Sequence, residues 1–173
     1  MNIDHQKIEK FINILEKLRN KKSTIFIAGN GGSATTASTM ANDLGFDIIK
    51  KTKTSKPFKM LSLTDNNGVM TAISNDDGYE NIFINQLRIH FKPGDALLVI
   101  SASGNSSNLI NAVKWVKSKK GSTLGLLGFD GGKLLNQCDT SVLVKTNKGE
   151  YGPVEDAHLI INHIIAHWFQ NKI

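Results

Sequence analysis

Thr24-Ile25-Phe26-Ile27-Ala28 runs without a break into Gly29-Asn30-Gly31-Gly32-Ser33. A continuous β-branched and aromatic run of this length suits a strand buried on both faces, as in a parallel sheet. The glycines that follow let the backbone turn sharply and come close to a ligand, and the helical stretch from Ser33 to about Leu44 sets first-turn amides beside that turn. The plan recurs further on. Ala96-Leu97-Leu98-Val99-Ile100 leads into Ser101-Ala102-Ser103-Gly104-Asn105-Ser106-Ser107, and a helical pattern follows from about Asn108 to Lys119. Two such loops aim hydroxyl and amide donors at one place, which suits an anion such as a phosphate with a polyol attached.

The rest of the chain keeps the same rhythm. Ile8, Phe11, Ile12, Ile14, Leu15 and Leu18 recur at helical spacing between Ile3 and Leu18, an amphipathic helix ahead of the sheet. Met60-Leu61-Ser62-Leu63 reads as a second strand, and Tyr79 to Phe91 as a helix with Ile82, Phe83, Leu87 and Phe91 on one side. Ser122 to Leu127 and Ser141 to Lys145 read as strands four and five, and Val154 to Phe169 as a final helix. Strands alternating with helices imply a parallel sheet with right-handed crossovers. The expectation is a three-layer, doubly wound, flavodoxin-like α/β domain with five strands and a leading helix. Strand order 2-1-3-4-5 would put both glycine/serine loops at the switch point, where open α/β sheets bind ligands. With no internal repeat and no linker-like stretch, residues 1–173 read as one domain.

Composition narrows the function. A chain of 173 residues with 40% hydrophobic content can bury a full core. No apolar run is long enough to span a bilayer, and the polar start Met1 to Lys7 has no signal-peptide core, so a cytoplasmic protein is expected. The lone Cys138 excludes an intramolecular disulfide framework and has no nearby histidine to activate it. Much of the net charge of +6 sits in Lys50 to Lys59, which reads as a solvated loop without interleaved aromatics. That pattern argues against a nucleic-acid partner.

The motifs point to a sugar phosphate. The first loop lacks the G-x-G-x-x-G spacing and no Walker-type lysine follows it, so no nucleotide cofactor is expected. On its own it could be a tight turn with Ser33 as N-cap. Ser101, Ser103 and Ser106 surround Gly104, more hydroxyls than capping needs. Asn75-Asp76-Asp77-Gly78 reads equally as an Asx turn before Tyr79 or as a binder of sugar hydroxyls. In the last helix Glu155, Asp156, His158, Asn162, His163 and His167 interrupt an apolar segment. His163 and His167 have the spacing of a helical zinc pair, but Ile164-Ile165-Ala166 supplies no glutamate base between them, which excludes a zincin-type protease.

In order and spacing, Gly29 to Ser33, Asn75-Asp76, Ser101 to Ser106 and the final carboxylate-then-histidine helix resemble the SIS (sugar isomerase) domain family. The likeness covers nearly the whole chain, and within the family it is strongest to members that isomerise sedoheptulose 7-phosphate. It implies that Asn30, Gly31, Gly32, Ser33, Asn75, Asp76, Ser101, Ala102, Ser103 and Ser106 bind substrate. The family's acid/base histidine falls on His163 and its catalytic glutamate on Asp43, one methylene shorter. A metal-ligating histidine falls on Thr39, a poor zinc ligand, and a glutamine falls on Glu155, a second candidate base. Zinc, bound in some members, would here fall to Asp43, Glu155 and His163. The resemblance further implies a homotetramer with active sites at subunit interfaces. The expected reaction is aldose–ketose isomerisation of a sugar phosphate through an enediol. A phosphosugar-binding regulator, such as an adaptor for a replication initiator, and an isomerase of another ketose phosphate are the alternatives.

Overall fold

The computed structural model describes residues 4–173; Met1 to Ile3, where the leading helix was expected to begin, lie outside the described residues. Five strands, β1 (Thr24–Gly29), β2 (Lys59–Ser62), β3 (Ala96–Ser101), β4 (Ser122–Gly128) and β5 (Thr140–Val144), form one sheet in the order β2-β1-β3-β4-β5. Every neighbouring pair is parallel. The helices are α1 (His5–Asn20), α2 (Gly32–Asn42), α3 (Ile48–Thr52), α4 (Asn67–Asp77), α5 (Ile82–His90), α6 (Ser107–Ser118) and α7 (Tyr151–Lys172).

The unbroken apolar strands serve two cores. Ile25 and Ile27 of β1, with Leu98 and Ile100 of β3, face a cluster built from α1, α2, α3 and α7 that includes Phe11, Met40, Ile48, Ile161 and Phe169. Phe26, Ala28, Leu97 and Val99 face the opposite cluster, where α5 and α6 bring Phe83, Leu87, Leu109 and Val113. Side chains alternate across a strand, so a strand covered on both faces must be apolar at every position. The expected three-layer doubly wound architecture and strand order are what the structure has.

Two local readings are corrected. The lysine segment is not simply a solvated loop. Past Asn42 the chain continues through a π-helical stretch, Asp43–Asp47, into α3, which includes Lys50 and Lys51. Leu44 and Ile48, both fully buried, keep this run against the core despite Gly45. The helix stops at Lys53 in the left-handed conformation. Beyond it Arg19 ties the segment down, its Nε donating to the Lys56 carbonyl at 2.7 Å and its Nη2 to Thr54 Oγ1 at 3.2 Å. The second correction concerns Asn75-Asp76-Asp77: these residues end α4, a helix with no buried residue, rather than forming a turn that caps the next one.

Asp95 aligns the bottom of the two central strands. Its Oδ1 accepts from Thr24 N at 2.8 Å and its Oδ2 from Lys92 N at 2.9 Å, in a site that is almost fully buried. Asp95→Ala removes the acceptor from the half-buried Thr24 amide and from the exposed Lys92 amide, and an amide left unpaired costs about 1–3 kcal/mol where water cannot replace the partner. Urea unfolding should therefore show a loss of roughly 1–4 kcal/mol, with a smaller loss for Asp4→Ala at the exposed start of α1.

Candidate active site

Because β1 and β3 pair with Gly29 opposite Ile100, their loops leave the sheet side by side. They enclose a cavity of about 150 Å³ lined by Asn30, Ser33, Ile100, Ser101, Ala102, Ser103, Ser106, Tyr151 and Glu155. Two helix N-termini belong to it. The N-cap of α2 is Gly31, not Ser33, and takes positive φ (57°) with no side-chain cap; Ser33 lies within the first turn, buried. Ser106 at the N-cap of α6 likewise makes no capping hydrogen bond. Uncapped first-turn amides beside free hydroxyls favour an anion. Ser101 Oγ accepts from Gly104 N at 3.0 Å, which leaves its own proton free to donate into the cavity. Gly104 has φ 63°, and a Cβ there would collide with the Gly131 carbonyl, so the loop closes against the β4 exit only because this residue is glycine.

The Asn30 carboxamide is already committed. It forms a reciprocal pair with the buried Asn108: Asn30 Nδ2 donates to Asn108 Oδ1 at 3.0 Å, and Asn108 Nδ2 donates back at 2.9 Å. Tyr79 Oη adds a third bond to Asn30 Oδ1 at 2.9 Å. This fastens the first loop to α6, so Asn30 offers a ligand its backbone rather than its side chain.

Asp43 and His163 are brought together from α7 and the π-helical end of α2. His163 Nε2 lies 3.6 Å from Asp43 Oδ2. The backbone of Asp43 opens the π-helical stretch, an irregularity common at functional positions. Glu155 belongs elsewhere, since it lies against Gly32 in the serine-lined cavity. It stands eight residues before His163 on α7, about 12 Å along the axis. Asn75 and Asp76 bond to each other at 2.7 Å, exposed at the end of α4, and do not line the cavity. Gly31 and Gly32 shape the turn beneath it. Tyr151, stacked edge-on to Phe129 at 5.1 Å, joins the wall without having been singled out from the sequence.

The donors present within one subunit do not fit zinc. Thr39 turns its hydroxyl back to the Thr35 carbonyl at 3.0 Å, and Asp43 Oδ2 already accepts from Asn162 Nδ2 at 2.7 Å. Among the described residues no three His, Cys, Asp or Glu side chains gather as a metal site.

The three histidines of α7 have three different surroundings. His163 pairs with Asp43 and is exposed, and His167 lies on the outer face beside Ile164 and Trp168. His158 is fully buried. Burial pushes its pKa down to about 4; the Leu127 backbone, beside the ring but without a hydrogen bond of ordinary geometry, works the other way more weakly.

A protein-family model, that of the SIS domain, matches residues 2–128. The phosphoheptose isomerase of Sulfurimonas denitrificans is 38% identical over 177 residues, covering 95% of this chain and 86% of the relative. That of Aneurinibacillus thermoaerophilus is 34% identical, covering 91% and 81%. Among solved structures, phosphoheptose isomerase from Neisseria gonorrhoeae superposes with a TM-score of 0.84 at 27% identity, covering 96% of this chain and 86% of that one. The chain belongs to the SIS-domain family and, within it, to the family of the phosphoheptose isomerases.

His158 makes stability depend on pH in a defined direction. Between its ordinary value near 6.5 and about 4, the unfolded chain takes up a proton that the folded one refuses, so stability falls as pH falls through that window. The contribution is about 3 kcal/mol at most. Urea unfolding at pH 7, 6 and 5 should show this decline, with a shallower slope in His158→Gln.

Proposed function

We propose that this chain is an aldose–ketose isomerase that converts sedoheptulose 7-phosphate to D-glycero-D-manno-heptose 7-phosphate. The observation that carries this reading is the approach of Asp43, just past the end of α2, to His163, two turns beyond Glu155 on α7, while Gly32 and Glu155 on the same two elements adjoin the serine-lined cavity. Along α7 the two places stand about 12 Å apart, from Glu155 to His163, which leaves room for a sugar chain between them. The reading extends to all of residues 1–173 acting as one SIS domain, because α7, beyond the matched residues, supplies Glu155 and His163.

In this reading Ser101, Ser103, Ser106 and the first-turn amides of α2 and α6 hold the phosphate, with Ser33 and the backbone of Asn30 to Gly32 at its side. Phosphate binding orients the reacting end without acting on it. Glu155 opposes an anion, so its carboxylate suits the sugar hydroxyls next to the phosphate. Asn75 and Asp76 would meet hydroxyls that reach α4. Asp43 takes the proton from C1 of the ketose, the electron pair moves into the C1–C2 bond, and an enediolate forms. His163 moves protons between the two oxygens, a task suited to an imidazole because one ring nitrogen can donate while the other accepts. Return of the proton to C2 gives the aldose.

The oligomeric state belongs to the same proposal. Ile160 and Ile164 on α7 are 56% and 53% exposed and continue into the partly buried Trp168 and Ile8 of α1. An apolar face of this kind suits contact with other copies of the chain, in a homotetramer whose interfaces border the Asp43–His163 pair. A cytoplasmic enzyme with no nucleic-acid or membrane partner completes the reading. The free Cys138 fits a reducing compartment.

Purified protein should isomerise sedoheptulose 7-phosphate. Asp43→Asn and His163→Ala should each lower kcat by about 10²–10⁴-fold, with smaller changes in KM. Full activity in both variants removes the pair from the mechanism; binding without turnover in the wild type makes the chain a phosphosugar sensor instead. Light scattering should report a tetramer, and Ile164→Asp should shift it to smaller species.

A further inference from the structure

Eight residues of α7 are buried, and only His158 and Asn162 among them are polar. Asn162 is fully buried beside the core positions Ile161 and Ile165. Such a side chain is costly unless all its polar atoms are paired. Here they are not, since Asn162 Oδ1 has no hydrogen-bond partner. An apolar residue of the same volume would pack into this position without that penalty, so the fold by itself gives no reason for an amide.

The reason lies at the other end of the carboxamide. Asn162 Nδ2 donates to Asp43 Oδ2 at 2.7 Å, a short bond of the charge-assisted kind. His163 Nε2 stands 3.6 Å from the same oxygen, beyond ordinary hydrogen-bond length. The other oxygen of Asp43 is met only by the exposed Asn42 amide at 3.2 Å. Of the three side chains around the carboxylate, the one that is immobilised by packing is therefore Asn162. Asp43 also opens the π-helical stretch, at the end of α2 facing α7.

We propose that Asn162 is a positioning residue: it fixes the rotation of the Asp43 carboxylate through Oδ2, leaving Oδ1 to face the substrate carbon and His163 free to move protons. This rests on the reading of Asp43 as the base. An aspartate reaches less far than a longer carboxylate, and displacement of a reacting group by about 1 Å can cost on the order of a hundredfold in rate. A rigid donor buried in the neighbouring helix removes that freedom.

The test is a double-mutant cycle on the full-length protein, assayed with sedoheptulose 7-phosphate. Asn162→Leu should lower kcat about 10–100-fold while KM changes less than about 3-fold. In an Asp43→Asn background the same change should have no further effect on the residual rate, because the two residues act as one unit. Asn162→Ala, which removes the donor without crowding, keeps the comparison available if the leucine variant does not fold. A folded Asn162→Ala with wild-type kcat, or a loss repeated in full in the Asp43→Asn background, overturns the positioning role. A fully active Asp43→Asn strikes the base assignment itself. An impaired Asp43→Asn beside an unaffected Asn162→Ala strikes only the positioning inference.

Discussion

Parallel pairing of β1 with β3 is the constraint from which the site follows. With Gly29 level with Ile100, the two strands end within one residue of each other, β1 turning at once into α2 and β3 passing through the serine loop into α6. Two helix N-termini whose N-cap residues make no side-chain cap then open on one small volume, a setting that favours an anion although Ser33 N and Ala34 N already bond to the Asn30 and Gly31 carbonyls and Leu109 N to Asn108 Oδ1. The pairing is secured from both ends. Asp95 holds the entry of the strands, and the Asn30–Asn108 amide pair holds their exit. Both fastenings anchor on a buried side chain, Asp95 or Asn108, and their bonds are part-buried, which limits competition from water.

The polar residues of α7 divide the labour along one helix. Glu155 adjoins the cavity, His158 and Asn162 face inward, and His163 and His167 face outward beside the apolar stripe of Ile160 and Ile164. Asn162 and His163 are neighbours in sequence yet treat the same carboxylate differently. One holds it from the core by a short bond, and the other approaches from solvent at a distance that leaves it free to turn.

The sheet was legible because every strand is either apolar throughout or bordered by turn residues, and because doubly covered strands need no alternation. The cradle was legible for the same reason, since glycines and serines cluster where strands end. Helix α4 was not, because it has no fully buried residue and only Met70 and Ile73 pack part-buried against the core, too short an apolar period to stand out. The continuation of α2 beyond Leu44 was hidden by Gly45 and the lysines, whereas Leu44 and Ile48 decide the matter from the core side. The pairing of Asp43 with His163 has no local signature, as the two residues are 120 positions apart. It entered the sequence reading by resemblance alone. Asn162 left one faint mark, a polar residue inside an apolar stretch, which was visible without its partner being so.

Helix α7 runs unbroken from Tyr151 to Lys172, and this has a geometric consequence. The separation between Glu155 at the cradle and His163 at the carboxylate is set by helical rise, and no rotamer change can stretch it appreciably. The helix is a ruler. Substitution of side chains at either end can alter which groups are gripped or deprotonated, but the span between them is graduated in whole residues. On the proposed reading, a sugar one carbon shorter could be met by a longer side chain at position 43 or by a change of backbone, since the helix fixes the rest of the span.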